Sequence, residues 1–265
     1  MSYQGNPCWY ELGTRDLDGA AAFYQRILGW QVVDAGVEGF DYRLAKAKED
    51  MVAGLMSTAT QEASPPPNWL IYFAADDCDK SVATVTAAGG KVLKGPADIP
   101  GTGRYAVVLD PQGAAFGLLQ PDMSRMSEAD RAKAEAGEGA FNQKKAGHGN
   151  WNELMSSDPQ AALTFYLDLF GWTQGEAMDM GAMGTYQLVR RKGVDIGAIM
   201  GLGGSPVPAW LPYFGVAGKT TAVVDAIKAA GGSVHHGPSE VPGPAYIVVA
   251  QDPQGAWFAV VGPEK

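Results

Sequence analysis

A duplication constrains this chain more than any other feature. Trp9–Trp30 (WYELGTRDLDGAAAFYQRILGW) aligns without a gap to Trp151–Trp172 (WNELMSSDPQAALTFYLDLFGW), at an offset of 151 − 9 = 142, with nine of the 22 positions identical. The same offset carries Asp110-Pro111-Gln112-Gly113 onto Asp252-Pro253-Gln254-Gly255, Gly89-Gly90 onto Gly231-Gly232, and Pro100-Gly101 onto Pro242-Gly243. Trp69-Leu70-Ile71-Tyr72-Phe73 matches Trp210-Leu211-Pro212-Tyr213-Phe214 at an offset of 141. One register kept over so many blocks means that one folding unit is used twice. A weaker repeat lies inside each copy. Trp9, Trp69, Trp151 and Trp210 each open a strand that leads into a helix, so the chain reads as four modules.

Local patterns fix the elements of a module. Ala20, Phe23, Tyr24, Ile27 and Leu28 fall at i, i+3, i+4, i+7 and i+8, the stripe of an amphipathic helix. Asp16 or Asp18 supplies its N-cap, and Gly29 ends it in the left-handed conformation. The copy has Asp158 as cap, Pro159 at the first helical position and Gly171 at the end. Strands are expected at Trp30–Asp34, Phe40–Ala45 and Met51–Met56. The second module predicts a helix near Lys80–Ala88 and strands near Lys91–Leu93, Arg104–Leu109 and Ala114–Leu119. The order β-α-β-β-β, used four times, defines an α+β class. Residues 121–147 match neither copy, and SEADRAKAEAGEG opens on a Ser-x-x-Asp cap. It predicts a short helix in a linker between a first domain, 1–120, and a second, 148–265.

Bulk properties narrow the partners. A length of 265 residues suits two domains. A formal charge of −9 argues against nucleic acid, whose phosphates it would repel. Apolar runs such as Ile247–Ala250 are far shorter than a membrane span, and no basic segment followed by an apolar stretch marks the start. Cys8 and Cys78 are far apart with no CxxC spacing, so reduced thiols and a cytoplasmic location are expected.

The helix signature Asp16…Phe23-Tyr24…Gly29-Trp30, with Asp158…Phe165-Tyr166…Gly171-Trp172 and the two Asp-Pro-Gln-Gly turns, resembles the vicinal oxygen chelate superfamily. That group holds glyoxalase I, extradiol dioxygenases, methylmalonyl-CoA epimerase, fosfomycin-resistance proteins and bleomycin-binding proteins. The resemblance covers all but the linker. It implies four βαβββ modules paired into two glyoxalase-like domains, with curved, mostly antiparallel sheets around a cup. It also implies intramolecular pairing of the domains, as a monomer or a loose dimer. It leaves function open, because the fold hosts unrelated chemistries.

Metal-dependent members place ligands about seven residues before the capping Asp, at the matching place in the next module, and about seven beyond the turn Asp. Those positions hold Trp9 and Trp151, Trp69 and Trp210, and Gly117 and Ala259. None offers the imidazole, thiolate or carboxylate that a first-row ion needs, so no metal and no cofactor is expected. Of three histidines, His148 ends the linker, and His235 and His236 are strand neighbours that point to opposite faces. The candidate ligand-binding residues are Trp9, Glu11, Trp69 and Tyr72 in one cup, and Trp151, Glu153, Trp210 and Tyr213 in the other. Aromatic walls with one acid suit a small molecule, either a cation or a planar ring. A second reading makes the tryptophans core residues, each N–H meeting the neighbouring Glu. A third makes the chain an enzyme of the same superfamily, a lyase, isomerase or dioxygenase, either metal-dependent or with Glu11 or Glu153 as base.

Overall fold

The computed structural model describes residues 2–60, 65–136 and 138–265, the side chains of 130 and 135 excepted; Gly137 of the expected linker lies outside the described residues. The first module runs β1 (Pro7–Thr14), α1 (Leu17–Leu28), β2 (Gln31–Asp34), β3 (Tyr42–Ala47) and β4 (Asp50–Ser57). The second runs β5 (Asn68–Ala74), α2 (Cys78–Ala87), β6 (Lys91–Ile99), β7 (Gly103–Leu109) and β8 (Ala115–Pro121). After α3 (Glu128–Ala136) the third runs β9 (Gly149–Ser156), α4 (Pro159–Phe170), β10 (Thr173–Asp179), β11 (Thr185–Arg191) and β12 (Val194–Gly201). The fourth runs β13 (Ala209–Gly215), α5 (Thr220–Ala229), β14 (Ser233–Val241), β15 (Ala245–Gln251) and β16 (Trp257–Gly262).

Local chemistry sets these limits. Asp16, not Asp18, caps α1, accepting the N–H of Gly19, while Asp18 pairs with Arg43. Asp158 caps α4 in the same way through Ala161, and Gly29 and Gly171 end the two helices at φ 69° and 66°. The strand expected at Lys91–Leu93 continues to Ile99. Two register shifts and Pro96 break its alternation, which an edge strand tolerates.

Strands of the first two modules form one sheet in the order β2-β3-β4-β1-β5-β8-β7-β6, and those of the last two repeat it as β10-β11-β12-β9-β13-β16-β15-β14. Within each module the last three strands meander antiparallel, while β1 runs parallel to β4 and β5 to β8. The helix after the first strand allows that parallel return. Each sheet is open and mixed.

The chain packs as two compact units, and each draws one module from either copy. One holds the N-terminal residues through Cys8 with Ile71–Glu138 and Asn152–Trp210. The other holds Trp9–Leu70, Gly139–Trp151 and Leu211–Lys265. Each has an aromatic core. In the first, Phe73 meets Trp172 and Trp210 with ring centroids 5.2 Å apart, and Phe116 meets Tyr166 at 5.4 Å. In the second, Phe214 meets Trp69 at 5.0 Å and Trp30 at 5.3 Å, and Phe258 meets Tyr24 at 5.4 Å. Most of these contacts are edge-to-face, the arrangement that ring quadrupoles prefer.

The two signature motifs meet in these cores. Tyr24 Oη donates to Asp252 Oδ2 at 3.0 Å and accepts from Trp69 Nε1 at 2.8 Å. Tyr166 Oη donates to Asp110 Oδ2 at 3.0 Å and accepts from Trp210 Nε1 at 2.9 Å. The other oxygen of each aspartate is tied into its own turn. Asp110 accepts N–H groups of Gln112, Gly113 and Ala114, and Asp252 those of Gln254 and Ala256. Burial raises both carboxyls above their usual range and both tyrosines well above theirs. The helix of one copy thus clasps the turn of the other. Among the described residues no helix is long and apolar enough to cross a membrane.

Candidate functional site

β1 alternates: Tyr10, Leu12 and Thr14 are fully buried, while Trp9, Glu11 and Gly13 are half-buried on the opposite face. The parallel register with β4 sets Glu11 opposite Gly54, and the antiparallel register of β3 sets Leu44 opposite Gly54 and Tyr42 opposite Met56. Tyr42 therefore projects beside Glu11, and its ring lies in the space that a Cβ at residue 54 would occupy. Trp9 Nε1 donates to Tyr42 Oη at 3.1 Å, and Tyr42 Oη donates to Glu11 Oε2 at 3.0 Å. Burial, with the Glu11 charge beside it, pushes the Tyr42 hydroxyl far above the usual phenol range. It stays protonated at neutral pH and serves as a fixed donor to the acid.

The second copy repeats the tyrosine–glutamate pair. Tyr186 Oη on β11 donates to Glu153 Oε2 on β9 at 2.8 Å. Glu153 stands opposite Ala198 on β12, where Glu11 has Gly54. A second exchange of the same kind separates the copies: Tyr72 pairs with Gly117, and Tyr213 with Ala259. The Tyr72 ring fills the space a Cβ at 117 would need. Neither tyrosine of the hydrogen-bonded pairs, Tyr42 or Tyr186, was expected from the sequence. The signal was present: Asp41-Tyr42-Arg43-Leu44 matches Thr185-Tyr186-Gln187-Leu188, but at an offset of 186 − 42 = 144. Loop-length differences hide it from the register of 142.

The remaining expected site residues divide. Trp69 and Trp210 are 5% and 6% exposed and lie in the aromatic cores, with their N–H groups on Tyr24 and Tyr166. Trp69 shares Phe214 with Tyr10, the residue on the face of β1 opposite Trp9 and Glu11, so it is not brought to them. Tyr72 and Tyr213 are buried, Tyr72 against Gly117. Trp151 is half-buried two positions before Glu153 on β9. The W-x-E hydrogen bond weighed from the sequence takes a longer route in the first copy, because Tyr42 stands between indole and acid.

The positions where relatives hold a metal do not fit one here. Trp9 turns its N–H to Tyr42, Trp69 is in the core, and Tyr72 covers Gly117. Among the described residues no group of three His, Cys, Asp or Glu could hold an ion. His148 is buried against Gly139 O at 2.6 Å, and burial lowers its pKa. His235 packs on the exposed Trp257 ring. Cys8, whose Sγ donates to Tyr72 O at 3.4 Å, has its thiol pushed up to about 12 by burial and is no nucleophile at neutral pH.

Comparison with known proteins agrees with this architecture. The family model described as Glyoxalase/Bleomycin resistance protein/Dioxygenase superfamily matches residues 8–118. CFP32 of Mycobacterium tuberculosis, which bears a provisional name as a glyoxylase, is 34% identical over 268 residues, covering 98% of this chain and 95% of its own. The anthracycline biosynthesis protein DnrV of Streptomyces peucetius is 28% identical over 270 residues, with 97% and 93% covered. The 2,3-dioxygenase LapB of Pseudomonas sp. KL28 superposes with a TM-score of 0.66 at 14% identity, over 100% of this chain and 94% of that one, a likeness of fold alone. The chain belongs to the glyoxalase/bleomycin resistance protein/dioxygenase superfamily.

Proposed function

We propose that this chain is a cytoplasmic protein that binds a small planar molecule against Trp9, Tyr42 and Glu11, with a related site at Trp151, Tyr186 and Glu153, and that it needs no catalytic metal. What carries it is the hydrogen-bonded chain from Trp9 N–H through Tyr42 O–H to Glu11, repeated at Glu153 by Tyr186. A carboxylate held by a fixed donor beside aromatic faces is pre-organised to orient a ligand by one charge-assisted bond. DnrV is named for anthracycline biosynthesis, and we carry the polyaromatic ligand class from it to this chain.

The second reading is a lyase, isomerase or dioxygenase of the same superfamily. The fold match to a 2,3-dioxygenase and the provisional glyoxylase name of CFP32 favour it. In its metal-free form Glu11 is the base. Titration with acridone, a planar ring whose N–H can donate to Glu11, followed by tryptophan fluorescence, tests the binding reading. Glu11→Gln is expected to weaken acridone by tenfold or more with the melting temperature nearly unchanged. Unchanged affinity, or a first-row metal that stays at one equivalent after dialysis and whose removal abolishes binding, overturns it.

A further inference from the structure

The first copy carries a cavity of about 730 Å3 along the loop that leads into Tyr42. This is the size of a pocket for a ligand of several fused rings. Its wall is the loop between β2 and β3, closed from the other side by Ser57, Ala59 and Thr60. Phe40 links cavity and site: it is 38% exposed, lines the cavity, and stacks on Tyr42 with centroids 5.9 Å apart and planes 19° from parallel. Phe40 thus carries the ring face of the cavity onto Tyr42, whose hydroxyl accepts the Trp9 N–H. Three acids, Asp34, Glu38 and Asp41, line the same cavity, and among the described residues that line it none is basic.

The second copy supplies an internal control. At the offset of 144 that relates Tyr42 to Tyr186, Glu38 becomes Ala182, Phe40 becomes Gly184 and Asp41 becomes Thr185. There the loop forms a short 3-10 turn and exposes Met180 and Met183. Both copies keep the Tyr–Glu pair, and only the first keeps the ring and the acids at its mouth. A duplication that preserves the floor and changes the rim has changed what the rim selects.

We infer that the first site selects a planar ring system bearing a positive charge, the ring lying along Phe40 and Tyr42 and the cation facing Asp34, Glu38 and Asp41. This rests on the binding function proposed above and names its ligand class. A ring face and a carboxylate both attract a cation, and the two attractions add where solvent is partly excluded. An anion of the same shape meets the same wall with the opposite sign.

The test uses the full chain and three probes of one shape: N-methylacridinium as cation, acridine as neutral ring, and acridinecarboxylate as anion. The wild type is expected to bind the cation at least tenfold more tightly than the anion. The variant Glu38→Gln/Asp41→Asn is expected to lose most of that preference with its melting temperature nearly unchanged. The variant Glu176→Gln/Asp179→Asn removes two charges from the β10 strand of the second copy and is expected to keep the preference. Equal binding of cation and anion overturns the inference. So does an equal loss in the second variant, because the field of the whole acidic protein then explains it. If Glu11→Gln weakens acridone but the charge preference is absent, only the ligand class fails. If no probe binds, the site itself fails.

Discussion

One hydrogen-bonded sequence recurs in this molecule in two opposite surroundings. Trp69 N–H to Tyr24 O–H to Asp252 lies in a core, and Trp9 N–H to Tyr42 O–H to Glu11 lies on the half-buried face of β1. Distances barely differ: 2.8 and 3.0 Å in the core, 3.1 and 3.0 Å at the face. What differs is the rest of the carboxylate's surroundings. Asp252 is also spent on the backbone of its own turn and is 3% exposed, so no ligand can reach it. Glu11 stands half-buried on a strand among faces that a ligand can share. The same kinds of group make a clasp where every atom is enclosed and, in the function we propose, a recognition element where one side is open.

The largest expected effect breaks the clasp. Tyr24→Phe strands a buried indole N–H and a buried carboxylate oxygen, at roughly 1–3 kcal/mol each. Thermal unfolding should show a loss of about 2–4 kcal/mol, a fall in melting temperature of roughly 5–12 °C, with acridone affinity of the folded protein unchanged. A melting temperature within a degree of the wild type would remove the distinction between the two hydrogen-bonded chains.

The matching change at the face should reverse that pattern. Tyr42→Phe removes the donor that holds Glu11, so acridone binding is expected to weaken about tenfold, roughly 1.4 kcal/mol. Stability should fall by only about 0.5–1.5 kcal/mol, because the groups it leaves reach water. A titration that finds full affinity in this variant would make Tyr42 a structural residue like Tyr24.

A smaller effect compares the copies. Gly54→Ala puts a methyl where the Tyr42 ring lies, as Ala198 already does beside Tyr186. We expect acridone affinity to fall roughly threefold, under about 1 kcal/mol. Ala198→Gly should leave that binding untouched.

The smallest effect concerns pH. Burial raises the Asp252 carboxyl above its ordinary value of 3.8, so the folded state binds its proton more readily than the unfolded chain. Its contribution to stability is therefore present below that value and is lost as pH rises through the folded value. The stability of wild type relative to Asp252→Asn should decline as pH rises from about 4 toward neutrality, and then level off. A difference that grows over that window would contradict burial as the dominant cause.

Much of the fold was legible because its signals are local. Capping acids, terminal glycines and apolar periodicity fix α1 and α4 wherever they pack, and the order of elements along the chain follows from the repeat. Half of the site was legible for the same reason: Trp9 and Glu11 share a face because strand residues two apart always do. Tyr42 and Tyr186 were not, because a loop of different length shifted their register in the repeat.

The sequence by itself determined the duplication, the four modules, the helix limits and the W-x-E face of β1 and β9, all set by contacts within a few residues. Only the tertiary structure decided which of two similar tryptophans is enclosed in a core and which stays half-buried. Trp9 and Trp69 each open a strand and each donate to a tyrosine that donates to an acid. Their tyrosines come from elements 33 and 45 residues away. Whether such a group is enclosed or reachable depends on what packs over it from the distant chain, and no local pattern carries that.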